Sequence, residues 1–506
     1  MRNIVNLFLN ASKAHPNNIA IIEKDNKVDY KTLEKQVKQT AMMLLSKGVR
    51  KGDRVLIFVP MSVSLYRVVL AVFYIGAVAV FLDEWVSNSR MEICCKIAKC
   101  KAFIASNKIR ILSFLSKELR KTPIKIGTEL PSEQSFLEHF EVIDSNDTAL
   151  LTFTTGSSGT PKAANRTHGF LNEQFKALLK EINPKPSDID MPVLPIVLLC
   201  NLAVGATSLI ADFNPSKPAK MKTSNVVNQI LKNKVNRITA SPFFFDHISS
   251  FLFQKEVILP KIEKIFTGGA PVFPEQVKKY LKVFSKSEIN IAYGSTEAEP
   301  ISLIEGKDLL KHEKEIVKKG LCVGELYSEI ELKIIKIVNG VIETKDDDLS
   351  GIEVEKGEIG EIIVSGKHVL TSYFNDKKAL KRNKIFTQNK VWHRTGDSGR
   401  IENQKLYLLG RCNQLIKNKN SYLSPFVYEY IIRYYIGVSC GTVLKLDNVI
   451  TLIIETDEMS PKIINNEILK YDSIIYLKKI PRDPRHYSKI DYAKPVSYTH
   501  LTLPTT

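Results

Sequence analysis

Apolar positions change their period along this chain, and the change divides it into elements. Residues 28–46 carry them at helical spacing, with Lys31 and Thr32 at the start and Gly48 and Gly52 closing the helix. Arg54 to Val59 is then a compact strand. The longest apolar run, Val68 to Leu82, has 15 residues, fewer than the roughly 20 that span a bilayer. Gly76 divides it into a helix through Tyr74 and a buried strand from Ala77 to Leu82. Residues 101–105, 123–126 and 147–153 read as further strands. Residues 169–182, 223–234, 274–284 and 376–383 read as helices. This alternation predicts the α/β class, with stacked, mostly parallel sheets and flanking helices.

Near residue 360 the texture changes. Gly360 to Gly366 is a strand between glycines, and Asn403-Gln404-Lys405 reads as a turn joining Gly399–Glu402 to Leu406–Leu409. A boundary at Gly410-Arg411-Cys412-Asn413 leaves a large N-terminal domain, 1–410, and a small, mobile α+β domain, 411–495. Val496 to Thr506 has neither period and follows Pro495 abruptly, so it reads as a non-native or disordered tail.

Composition narrows the class. The 506 residues are 44% hydrophobic, enough for a sizeable core, and carry a net charge of +18. The lysines are scattered among Asn and Ile, without the aromatic-interleaved basic stripe of a nucleic-acid binder, so no nucleic-acid partner is expected. The charge reads mainly as compositional bias that secondarily attracts anions such as ATP or CoA. The seven cysteines have no metal-ligand spacing; Cys94, Cys95 and Cys100 fall in one predicted helix. Met1 to Asn10 is too weakly patterned for a secretion signal, and no integral membrane segment is expected. Together these give a cytoplasmic expectation.

The most informative stretch is Leu151 to Ala163, Leu-Thr-Phe-Thr-Thr-Gly-Ser-Ser-Gly-Thr-Pro-Lys-Ala. Its glycines let backbone N–H groups converge, its hydroxyls add donors, and Lys162 adds a full charge; such a loop binds a polyphosphate. The glycine spacing and the proline before the lysine separate it from the usual P-loop. Thr267-Gly268-Gly269-Ala270-Pro271 follows an apolar strand and leaves room for a flat ring, or is an ordinary strand-to-helix turn. In Tyr293-Gly294-Ser295-Thr296-Glu297 the tyrosine face can stack on a base, Thr296 can donate to phosphate and Glu297 can hold Mg²⁺. A capped helix start is the alternative reading of the same residues. Arg394-Thr395-Gly396-Asp397 sits just before the hairpin, as a turn whose carboxylate suits a ribose diol.

In this order the motifs resemble the AMP-forming acyl-adenylate superfamily, from about Asn6 to Asp491. The resemblance implies that Thr154, Thr155, Gly156, Ser157, Ser158, Gly159, Thr160 and Lys162 hold the β- and γ-phosphates of ATP. It implies that Gly269, Ala270, Pro271, Tyr293 and Gly294 frame the adenine, and that Asp397, with Arg411 nearby, binds the ribose. Thr296 would contact the α-phosphate, Glu297 the Mg²⁺, and Lys489 would be the catalytic lysine of the small domain. The implied activity is ATP-dependent conversion of a carboxylic acid to acyl-AMP, with CoA as probable co-substrate.

Three departures bear on substrate and acceptor. Asn413 and Asn420 alter the hinge region that guides the thiol in many acyl-CoA synthetases. Leu194 to Asn201 is aliphatic where many members place an aromatic or His gate, and with Phe243, Phe244 and Phe245 it suggests a fatty acyl pocket or plain core. The lead-in Pro481-Arg482-Asp483-Pro484-Arg485-His486 resembles the subgroup of fatty-acid ligases and β-lactone synthetases. Transfer to CoA, lactone closure by the acid's own β-hydroxyl, and loading of an acyl carrier protein therefore stay open. A catalytically silent nucleotide-binding homologue is the alternative outside the enzymes.

Overall fold

A computed structural model describes residues 3–82, 87–131, 137–155, 161–214, 217–259, 261–344, 349–418, 421–457, 463–464, 467–483 and 488–492. The tail 496–506 lies outside them. Two sheets organise the large domain. The six-stranded sheet runs in the order Ile124–Ile126, Ala102–Ala105, Arg54–Phe58, Val78–Phe81, Thr148–Thr155, Pro161–Thr167. All its pairs are parallel except the last.

The fourteen-stranded sheet has two halves. Strands Ile19–Glu23, Thr207–Ile210, Ile189–Pro192, Arg237–Ala240, Lys264–Gly268 and Glu288–Ser295 are parallel neighbours in that order. From Ala298–Glu305 onward, through Leu321–Leu326, Lys405–Arg411, Val391–Glu402, Gly360–Ser365 and Glu331–Ile335, every pairing is antiparallel. The switch thus comes about 60 residues before the change of texture at 360, because the strands between them carry no hairpin signal of their own.

Local chemistry sets the helix starts. Asp29 accepts from the Thr32 N–H at 2.6 Å and starts the helix Tyr30–Ser46, so Val28 belongs to the preceding strand Asn26–Asp29 rather than to the helix. Ser62 does the same for Val63–Tyr74, accepting from Leu65 N–H at 3.1 Å. That helix is apolar on nearly all faces and buried accordingly. It packs against strand Ile19–Glu23 of one sheet and strands Arg54–Phe58 and Val78–Phe81 of the other. The helix Asn88–Ala98 holds Cys94 and Cys95 but ends before Cys100.

The small domain has its own core, formed by Ile416, Tyr428, Ile432, Val443, Leu452 and Ile454 among others. Its helix Pro425–Ile432 sits against the large domain. Phe426 packs edge-on to Phe273, the Arg433 guanidinium lies 4.9 Å from the Phe273 ring centre, and Arg433 pairs with Glu275 at 3.3 Å. No helix among the described residues is long and apolar enough to cross a membrane.

Candidate active site

The strand Thr148–Thr155 and its antiparallel partner Pro161–Thr167 bring Thr154 opposite Lys162. Residues Gly156, Ser157, Ser158, Gly159 and Thr160, which join them, lie outside the described residues, and so does the side chain of Thr155. Lys162 is buried, and its ammonium donates to Asn383 Oδ1 at 2.9 Å. Burial lowers its affinity for the proton, and the carboxylate of Glu297 opposes that shift.

Tyr293 to Glu297 does not start a helix. Strand Glu288–Ser295 turns directly into Ala298–Glu305, and Thr296-Glu297 is the tip of that hairpin. The tip is held from several sides. Glu297 Oε1 accepts from the Thr154 hydroxyl at 3.3 Å and from the Tyr373 hydroxyl at 3.2 Å. Arg166 donates to the Thr296 carbonyl at 2.9 Å. The Leu370 N–H donates to the Glu297 carbonyl at 2.7 Å, and Phe374 N–H to the Ala163 carbonyl at 2.8 Å. Segment 369–374 therefore stitches the hairpin tip to the strand that carries Lys162.

Beneath this stitch lies Lys384, only 1% exposed. Its ammonium donates to the Leu370 carbonyl and faces the Tyr373 ring at 5.6 Å. Burial depresses its pKa to about 7, with Lys162 pushing the same way and Glu297 opposing. Sequence reading passed over Lys384, Tyr373 and Arg166. Lys384 sits in the lysine-rich stretch Lys377–Lys384, where nothing separates a buried cation from solvated ones.

Asp397 was expected in a turn, but it lies within the twelve-residue strand Val391–Glu402. The reason is the support beneath it. Arg394 grips Glu361 with two nitrogens, the shorter contact being 2.6 Å, and both groups are buried. Thr395 donates to the Ile362 carbonyl at 2.8 Å. These contacts tie the segment into the sheet, and removing one partner of such a buried pair costs about 3–5 kcal/mol. Asp397 accepts from the Tyr293 hydroxyl at 2.8 Å and pairs with Arg411 at 3.2 Å. The Asp397 carboxylate holds the Arg411 guanidinium proton above its ordinary range, and burial beside the same carboxylate keeps the Tyr293 phenol protonated. Tyr293 thus uses its hydroxyl to hold Asp397 while its ring borders the cavity.

Gly268 and Gly269 line the same cavity. A Cβ on Gly268 would lie 2.6 Å from the Ala292 carbonyl oxygen, and Gly269 has φ +79°. Both positions need glycine, so strand and turn leave a bare backbone shelf that continues into Ala270 and Pro271. Gly294 also lines the cavity.

Lys489 reaches the cavity from the small domain. Its carbonyl accepts from Asp483 N–H at 2.8 Å, and the neighbouring Ser488 hydroxyl accepts from Phe243 N–H of the large domain at 3.0 Å. One cavity of about 2470 Å³ therefore borders Thr154, Lys162, Glu297, Asp397, Arg411 and Lys489 together. The buried hydroxyls of Thr267 and Ser295 also border it without a hydrogen-bond partner, which suits a polar ligand. No group of three or more His, Cys, Asp or Glu able to hold a metal occurs among the described residues. The single carboxylate of Glu297 fits a cation bound mostly through phosphate and water, as Mg²⁺ commonly is.

An apolar part of the lining, the arm, comprises Val69, Leu171, Phe175 and Leu178 of one hydrophobic cluster, Ile196 packed against it, and Phe243. The aliphatic stretch contributes part of helix Pro195–Leu202 to it, whereas Asn201 turns away to donate to Asp190 at 2.9 Å. Phe244 borders the arm, but Phe245 does not. It is fully buried against Tyr280 and Phe284 and is core.

Comparison with known proteins agrees with this geometry. The family model described as AMP-binding enzyme matches residues 8–374. An olefin beta-lactone synthetase of Stenotrophomonas maltophilia is 27% identical over 440 residues, covering 82% of this chain and 78% of the relative. A 4-coumarate–CoA ligase of Humulus lupulus is 23% identical over 508 residues, covering 90% and 86%. The structure of O-succinylbenzoate Coenzyme A synthetase from Bacillus subtilis, in complex with ATP and magnesium ion, superposes with TM-score 0.76 at 22% identity, covering 95% of this chain and 97% of that one.

Proposed function

We propose, for a chain that belongs to the AMP-binding enzyme family and is an AMP-forming acid ligase, that its acid is apolar and fatty and that the acyl group passes to CoA. The observation that carries this reading is the cavity itself, with a charged hydrogen-bonding end that opens into an arm of aliphatic and aromatic side chains. Such an arm gains about 0.8 kcal/mol for each methylene buried. A polar acid would gain nothing from it.

In the proposed reaction the acid carboxylate attacks the α-phosphorus of ATP and pyrophosphate leaves. Both reactants are anions, so binding has to offset their repulsion. Lys162 is suited to the leaving pyrophosphate because its buried ammonium has lost hydration that phosphate oxygens would replace. Thr296 donates to the α-phosphoryl group, and Asp397 accepts from the ribose hydroxyls. Glu297, with the Thr154 hydroxyl beside it, would hold Mg²⁺, which neutralises charge on the phosphates when bound. Lys489 bridges the attacking carboxylate and the α-phosphoryl oxygens as charge shifts between them. The small domain then turns near Arg411–Asn413 and withdraws Lys489, which opens a path for the thiol.

A specific observation favours a second reading of the last step. The lead-in Pro481 to His486 resembles that of β-lactone synthetases, and the relative from Stenotrophomonas maltophilia bears that name. A β-hydroxy acid would then close on its own adenylate without CoA. ATP–pyrophosphate exchange over a panel of acids tests the first half of the proposal, and exchange rising with chain length is the expected result. Product mass with and without CoA separates thioester from lactone. Exchange with polar acids only would overturn the fatty reading.

A further inference from the structure

Read along the whole chain, the positive charge looks diluted; one segment concentrates it, although its Lys101 pairs with Asp53 at 2.6 Å. Residues 87–125 contain ten Lys and Arg against two Asp and Glu, giving +8 of the chain's +18. They form the helix Asn88–Ala98, the outer strands of the six-stranded sheet, and the short helices Asn107–Leu112 and Lys117–Arg120. Both acids are engaged. Glu92 accepts from the N–H groups of Lys117 and Glu118, which locks the two helices together, and Glu118 pairs with Lys121 at 2.6 Å. Four large apolar side chains stand out of this basic face: Ile93 at 44% exposure, Ile111 at 69%, Phe114 at 59% and Leu115 at 83%. Three of the four fall within five residues. Lys125 lies 4.2 Å from the Phe114 ring centre, so cation and apolar group belong to one patch.

We propose that this face docks the protein on an anionic lipid bilayer. Ile111, Phe114 and Leu115 enter the interface, and the surrounding lysines and arginines lie over the headgroup phosphates. A polyanion such as nucleic acid would satisfy the charge but gain nothing from the exposed Ile111 and Leu115. A second copy of the chain would satisfy the apolar groups but bring two like-charged faces together. An anionic bilayer matches both at once, since interfacial binding sums buried apolar area and attraction to acidic lipids. Arg90 and Ile109, from the same face, line the cavity, so a mouth of the active site opens beside the docking surface. Delivery of an acid from the bilayer to that mouth rests on the fatty-acid reading above; docking does not.

The test is co-sedimentation of the full chain with vesicles of phosphatidylcholine alone and of phosphatidylcholine mixed with phosphatidylglycerol. We expect binding to the mixed vesicles only, with release at high salt as the charges are screened. Phe114→Asp with Leu115→Asp abolishes it. Lys108→Glu with Lys117→Glu weakens it by more than about fivefold per residue, the share of one basic residue near such a surface. Neither pair lines the cavity, so melting temperature and ATP–pyrophosphate exchange with a short acid stay at the wild-type level and report on folding. Equal binding to both vesicle types overturns the proposal, as does wild-type binding by both variant pairs. So does self-association in ultracentrifugation without vesicles that the apolar pair abolishes, which would assign the patch to a second copy. Competition by duplex DNA against vesicles, unaffected by the apolar substitutions, would assign it to nucleic acid. If binding holds while exchange with fatty acids fails, the docking surface stands and the substrate reading falls.

Discussion

The two ends of the cavity are built by opposite means. At the charged end each group is held by hydrogen-bonded or paired partners from strands, from segment 369–374 and from the end of helix Lys377–Asn383. Asp397 sits between Tyr293 and Arg411, Glu297 between Thr154 and Tyr373, and Lys162 against Asn383. In the apolar arm the walls are faces of helices Val63–Tyr74, His168–Ile182 and Pro195–Leu202, lined by the residue types that also fill the adjoining core. One end fixes atoms; the other fixes a volume. A change at the first should alter the reaction whatever the acid, and a change at the second should alter only which acid reacts.

The largest expected effect tests the first half of that contrast. Lys489→Ala should lower ATP–pyrophosphate exchange about a thousandfold, since a group that acts on developing charge contributes on that order, with every acid affected alike and the melting temperature unchanged. An unaltered exchange rate would remove Lys489 from the chemistry. Asp397→Asn should come next. It weakens charge-assisted hydrogen bonds of about 1.5–3 kcal/mol, so KM for ATP should rise roughly ten- to a hundredfold while the preference among acids stays put. Titrating exchange against ATP measures it, and a shifted acid preference would show that the two ends are not separate.

The arm should respond in the reverse manner. Ile196→Trp should leave short acids near their wild-type rate and cost long ones about tenfold, the loss of two buried methylenes. Equal loss across chain lengths would mean that the arm does not hold the acyl chain.

The smallest effect concerns Lys384, beneath the charged end. Its folded-state pKa is depressed to about 7, whereas an exposed lysine has an ordinary value of 10.5. Between those values the unfolded chain binds the additional proton, so this group makes stability rise with pH across that window, by up to about 1.4 kcal/mol per pH unit. Lys384→Met should flatten that rise, as denaturant melts at pH 7, 8 and 9 would show. An unchanged slope would mean that Lys384 stays charged in the folded protein.

The same contrast explains what the sequence could and could not tell. A bare shelf at Gly268 and Gly269, or a carboxylate between a tyrosine and an arginine, needs particular residue types at fixed positions, so the charged end is written as short motifs. The strands and helices around it were legible for the same reason: helix Val63–Tyr74 and strand Val78–Phe81 are separated by a glycine that the period change requires. The arm was not legible because it is lined by the residues that fill cores. Phe244 borders the cavity and Phe245 packs on Tyr280, and nothing in Phe243-Phe244-Phe245 distinguishes them. Tyr373 and Lys384 were hidden differently. They act on Glu297 from more than seventy residues away, a distance that periodicity over a short window does not see. Asp397 was placed in a turn because Asp and Gly favour turns, and the buried Arg394–Glu361 pair that holds it in a strand is a tertiary contact.

The stitch at 369–374 also dictates when the enzyme comes into being. It pairs Tyr373 with Ala164 and Val369 with Ala298. These contacts bridge long stretches of chain, and such closures form late. During synthesis the strand bearing Lys162 is made long before segment 369–374, and until residue 374 has left the ribosome the hairpin tip at Glu297 is fastened, among the described residues, only by Thr154 and Arg166. A nascent or nicked chain that ends earlier can bury much of the core of both sheets and still have no catalytic pocket. Activity therefore arrives late, because Asp397, Arg411 and Lys489, which border the same cavity, are all made after the stitch.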